Sequence, residues 1–83
     1  MEYKVLVKLF VPEIEDTYEM YIPINKTVGE ISELICKLIN DLSKVYPPKK
    51  NACLCNRHSG IIYEKNIKII QTDIRNGTEL VLF

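Results

Sequence analysis

Long apolar runs are missing from this 83-residue chain: none approaches the roughly 20 residues that span a bilayer, so no direct membrane insertion is expected. The start, MEYKVLVKLF, lacks the charged head, apolar middle and small-residue cleavage site of a secretory signal, and a cytoplasmic location is expected. Net charge is missing too. Eleven basic and eleven acidic side chains cancel, leaving no overall field to gather phosphate backbones, and nucleic acid is not expected as a partner. Glycine is scarce: Gly29, Gly60 and Gly77 fit neither a Walker-type nor a dinucleotide loop. Histidine occurs once, as His58, and the odd set of Cys36, Cys53 and Cys55 lacks the spacing of a secreted disulfide framework, so a reducing compartment is expected.

What is present is an ordinary globular composition, 47% hydrophobic and 27% charged, enough for one domain over residues 1–83 with one small core. Residues 3–11 alternate, with Tyr3, Val5, Val7, Leu9 and Val11 on one side, and read as a half-buried strand that Pro12 stops. Turn-type residues from Pro12 to Asp16 lead into a second alternating run in which Tyr18, Met20 and Ile22 share a face, giving an antiparallel hairpin. Thr27-Val28-Gly29-Glu30 has the capping-box spacing and predicts a helix start. From there Val28, Ile31, Leu34, Ile35, Leu38, Ile39, Leu42 and Val45 recur at three and four, predicting one buried stripe, with Leu38 under the sheet. Pro47-Pro48 predicts a helix end near Val45 or Tyr46. A third strand is predicted over 49–57, a turn at His58-Ser59-Gly60, a short fourth strand at 61–63, and a closing strand from Thr78 to Phe83 after the Asn76-Gly77 turn. Between the last two, Ile67, Ile69, Ile70 and Ile74 are expected to plug the core. One helix and five short strands imply a two-layer α+β domain.

Few residues invite chemistry. Cys53-x-Cys55 with His58 nearby is the one cluster of metal-ligand types, but it supplies three ligands, and two cysteines two apart on a strand read more simply as small buried hydrophobes. A nucleophilic cysteine needs a positioned base, and the one histidine, His58, falls in a tight turn beside the strand, where the spacing offers no third orienting group and no evident pocket. Glu13, Glu15 and Asp16 read as a solvated turn cluster. No catalytic residue, metal or cofactor is expected.

The order and punctuation of the elements resemble ubiquitin-like β-grasp proteins over almost the whole chain. The carriers are the Thr27-capped helix, the Pro47-Pro48 break, the Gly60 turn and the closing segment Asp73-Ile74-Arg75-Asn76-Gly77-Thr78-Glu79-Leu80-Val81-Leu82. Within that superfamily, Asp16-Thr17-Tyr18-Glu19-Met20-Tyr21-Ile22-Pro23, the apolar helix from Val28 and Ile74-Arg75-Asn76-Gly77-Thr78-Glu79-Leu80 are similar to the small YukD/EsaB-type proteins that accompany type VII secretion in Gram-positive bacteria. The resemblance implies a mixed five-stranded sheet, one strand very short, packed on one long helix. It also implies a cytoplasmic accessory protein that docks on membrane-bound secretion machinery or a regulator. Conjugated modifiers end in a flexible Gly-Gly tail, whereas this sequence finishes Leu80-Val81-Leu82-Phe83, so a modifier or sulfur-carrier role is the alternative, followed by a small cysteine-dependent metal or redox protein.

With Val5, Val7, Leu80 and Leu82 under the helix, strand alternation sends Leu6, Phe10, Val81 and Phe83 to the opposite face. A register for the third strand counted from Pro47-Pro48, as the resemblance implies, turns Cys53 and Cys55 inward and Leu54 outward. Leu6, Leu54 and Val81 then form an exposed apolar patch flanked by Lys4 and Lys8, the expected protein-binding site, which would serve a homodimer equally. The plain alternative is a set of apolar residues scattered singly, as on many monomers.

Overall fold

A computed structural model describes residues 3–42 and 52–83. The described elements are β1 (Lys4–Val11), β2 (Asp16–Pro23), α1 (Val28–Leu42), β3 (Leu54–Asn56) and β4 (Glu79–Leu82). The sheet has the order β2-β1-β4-β3: β1 and β4 run parallel in the centre, each with an antiparallel outer neighbour. It is therefore a mixed sheet of four strands. The fifth strand expected at 61–63 is a single bridge between Cys55 and Ile62. The predicted helix end and the first part of the third strand lie outside the described residues.

Each element starts where local chemistry directs it. Pro12 opens a short 3-10 turn to Ile14, and Glu15 closes it in the left-handed region at φ 50°, which lets β1 fold back onto β2. The capping box at α1 forms as its spacing predicts: Thr27 N–H donates to Glu30 Oε1 (3.1 Å) and Glu30 N–H to Thr27 Oγ1 (3.2 Å). That first bond holds the Glu30 carboxyl below its ordinary pKa. The next helix amides, Val28 N–H and Gly29 N–H, are met by the carbonyls of Ile67 and Lys65. Only a glycine permits this approach without displacement, since a Cβ at position 29 would come within 3.2 Å of Lys65.

The core joins Val7, Leu9 and Val11 of β1, Leu80 and Leu82 of β4 and the helix residues Val28, Ile31, Ile35 and Ile39, with Ile69 and Ile74 sealing its end. Of the other expected plugs, Ile67 is half-buried and Ile70 is exposed. The helix stripe differs from its prediction as well. Ser32 and Cys36 are buried, whereas Leu34, Leu38 and Leu42 are 44% to 63% exposed. Burial of Ser32 is inexpensive because its hydroxyl donates to Val28 O at 2.8 Å, inside its own helix. The sheet thus centres on the Ile31–Ile35–Ile39 row, and the neighbouring leucine row is left at the margin beside β2.

Candidate functional site

The face of the sheet turned away from α1 is organised in rows, because residues paired across strands share a face. β1 pairs Leu6 with Tyr21, Lys8 with Glu19 and Phe10 with Thr17 on β2. On its other side Lys8 stands beside Glu79 and Phe10 beside Val81. Val81 is in turn opposite Cys55, and Arg57 N–H donates to Glu79 O at 3.0 Å. Three bands follow: an apolar pair Tyr21–Leu6, a charged row Glu19–Lys8–Glu79–Arg57 of alternating sign, and an apolar row Phe10–Val81–Cys55. A shallow groove of about 300 Å³ runs past Leu6, Lys8, Glu19 and Glu79.

The expected patch is corrected by this arrangement. Leu54 is 1% exposed and lies in the core, not on the open face, while Cys53 and Cys55 are the half-buried residues outside. The reason is register. Leu54 sits opposite the buried Leu82, and Cys53 exchanges backbone hydrogen bonds with Phe83 (2.6 and 3.0 Å), so the strand is offset by one residue from the count that began at the prolines. Leu6 and Val81 do share the open face with Lys4 and Lys8, but they are not brought together. Val81 is level with Phe10, about 13 Å along β1 from Leu6 at 3.3 Å per residue. The charged row stands between them. The signal that sequence reasoning missed is the pairing of Phe10 with Val81, which makes Phe10, not Leu6, the neighbour of Val81 in the larger apolar band.

Electrostatics tie the bands together. Arg57 lies 5.3 Å over the Phe10 ring and 3.5 Å from Glu79, combining a cation–π contact with a partly exposed ion pair. His58 Nε2 is 2.6 Å from Glu79 Oε2, and since a carboxylate only accepts, that nitrogen carries the proton. This bond, more than any other contact, lowers the Glu79 pKa. His58 is thus occupied at the edge of the charged row, and among the described residues no three side chains of metal-ligand type converge.

Behind β3, Asn56 Oδ1 accepts from the amides of His58 and Ser59 (2.9 and 3.1 Å), and Gly60 completes the turn at φ 76°. The returning segment places Tyr63 inside. Its hydroxyl donates to Asp73 Oδ1 at 2.6 Å and accepts from Asn56 Nδ2 at 3.1 Å. Burial first, then the Asp73 bond, pushes this phenol up to about 12. The network fastens the returning loop to β3.

No protein-family model matches the chain, and no curated protein does. Solved structures match at the level of fold. A chain of the MycP5-free ESX-5 inner membrane complex superposes with a TM-score of 0.81 at 16% identity, over 99% of this chain and 21% of that one. This chain therefore spans about a fifth of that neighbour. The EccD5 ubiquitin-like domain from Mycobacterium xenopi gives 0.80 at 12% identity, covering 99% and 94% of the two chains. A chain of the toluene 4-monooxygenase HD complex gives 0.79 at 9% identity, covering 95% of each. The fold is the ubiquitin-like β-grasp, on which unrelated roles are built. Among the described residues, no helix is long and apolar enough to cross a membrane.

Proposed function

We propose that this chain is a non-catalytic protein-interaction module on the cytoplasmic side of a type VII secretion system, in the manner of the YukD/EsaB-type proteins its sequence resembles. It engages partners without being conjugated to them. The observation that carries a binding role is the Phe10–Val81–Cys55 row on the open sheet face, an apolar band set beside an ordered row of charges. Apolar surface of this kind supplies association energy, while alternating charges fix orientation. The secretion setting is supported by likeness of fold to the ESX-5 chain and to EccD5.

The test is affinity capture of tagged wild type and Val81→Glu from detergent-solubilised cells, with bound proteins identified by mass spectrometry. Val81 is half-buried at the open face, so the variant is expected to fold, which circular dichroism checks. Secretion-system membrane components held by wild type and lost from folded Val81→Glu are the expected result. Equal recovery by both would remove the open face from the reading, and recovery of none would remove the secretion role. Intact mass of the captured chain checks the unconjugated state.

A further inference from the structure

The register that carries Leu54 into the core turns the cysteines on either side of it out. Cys53 lies opposite Phe83, with which it exchanges two backbone hydrogen bonds, and Cys55 lies opposite Val81. Both are half-buried thiols, and being two residues apart they share one face. Their neighbours across the strands are apolar: Phe83 and Val81 on β4, and Ile62, which bridges to Cys55 from the returning chain. The backbone between the two is held from both flanks, by the Cys53–Phe83 bonds on one side and by Tyr63 N–H to Leu54 O (3.0 Å) on the other.

Spacing decides what two such thiols can do. At a rise of about 3.3 Å per residue, their Cα atoms, and the Cβ atoms that point the same way, stand about 6.6 Å apart. A disulfide requires Cβ atoms about 3.5–4.5 Å apart, so closing one would break the strand. One ion between the sulfurs is less demanding. With metal–sulfur bonds of roughly 2.3 Å the sulfurs stand about 4.6 Å apart, and each gets there by leaning about 1 Å along the strand, as strand side chains commonly do.

The number and kind of ligands then select the ion. Structural zinc takes four ligands, and calcium and magnesium take oxygen. The third cysteine, Cys36, is buried on α1, and the single histidine, His58, is engaged with Glu79. Among the described residues, no third side chain of metal-ligand type joins the pair. Two soft thiolates in an apolar surround suit a soft monovalent ion, copper(I). The complex carries one negative charge, and a cation stands on the same face: the Arg57 guanidinium lies 5.3 Å over Phe10, the neighbour of Val81.

We propose that Cys53 and Cys55 form a two-coordinate thiolate site for copper(I) on the open face of the sheet. Binding releases the two thiol protons to solvent and changes no oxidation state. It needs no partner protein, so the site stands or falls apart from the secretion role.

The test is anaerobic titration of the reduced, intact chain with copper(I) held by the coloured chelator bicinchoninate, whose colour fades as the protein withdraws the ion. The expected result is one ion withdrawn per chain. Cys53→Ser and Cys55→Ser should each weaken binding by more than the roughly 100-fold that loss of an outer-shell partner costs, and Cys36→Ser should leave it unchanged. Circular dichroism confirms that each variant folds. Two readouts need wild type alone: X-ray absorption should find two sulfur neighbours, and the loaded chain should elute in size exclusion as the unloaded one does. No withdrawal of copper(I), one ion shared between two chains, undiminished binding by either folded single variant, loss of binding in folded Cys36→Ser, or a shell containing nitrogen or a third sulfur would each overturn the proposal.

Discussion

The two edges of the sheet are finished in opposite ways. At β3, three residues long, the outward groups of Leu54 and Asn56 are met by the returning chain: Tyr63 N–H donates to Leu54 O (3.0 Å) and Asn56 N–H to Ile61 O (2.8 Å). At β2, eight residues long, the corresponding groups of Glu19 and Tyr21 face outward beside an apolar groove. Exposed long edges invite pairing with another chain, and proteins usually cover or shorten them. Here one edge is both shortened and covered, and the other, among the described residues, is neither. The contrast sets a closed edge against an open one within a single sheet.

The contrast breaks most sharply at its leucines. Leu54→Ala at the closed edge should cost about 2–5 kcal/mol in chemical denaturation, because Leu54 is fully buried opposite Leu82. Tyr63→Phe should cost about 1–3 kcal/mol by stranding Asp73 and Asn56, and it should also alter the alkaline limb of stability. The folded phenol ionises near 12, above the ordinary 10, so its contribution is fully present below pH 10 and fades as pH rises through about 12. A pH series of denaturation curves should show that fading in wild type and lose it in Tyr63→Phe. Thr27→Ala should cost about 1 kcal/mol by opening the capping box. Leu38→Ala at the open edge should cost less than about 1 kcal/mol, since Leu38 is 44% exposed. Amide exchange sharpens the same comparison without mutation: Glu19 and Tyr21 should exchange quickly, and Asn56 and Tyr63 slowly.

These outcomes also mark which features the sequence discloses. The hairpin and the start of α1 were legible because their determinants are local: strict alternation, Pro12, and Thr27 with Glu30 three residues on. Two faces were misread for one physical cause. In Ala52-Cys53-Leu54-Cys55 every residue is apolar enough to face inward, so alternation leaves the phase open and pairing with β4 decides it. Along α1 the leucines outrank Ser32 and Cys36 in hydropathy, yet the sheet reaches only one side of the apolar arc, and the small residues take it. The expected patch inherited the first error through Leu54. Its other weakness was distance, because a parallel register between β1 and β4 cannot be read from either strand alone. Lys4, Lys8, Leu6 and Val81 reached the open face as expected, though with Phe10 and Cys55 as the more coherent neighbours.

The acidic hairpin end has a consequence before any contact. A molecule with no net charge can still carry a local field, and the exposed Glu13, Glu15 and Asp16 at the hairpin end set one up that reaches about 8 Å at physiological salt. Neutrality then no longer implies indifference: a basic group would be drawn first to the hairpin end, and dilution of salt would strengthen that attraction while leaving the total charge unchanged.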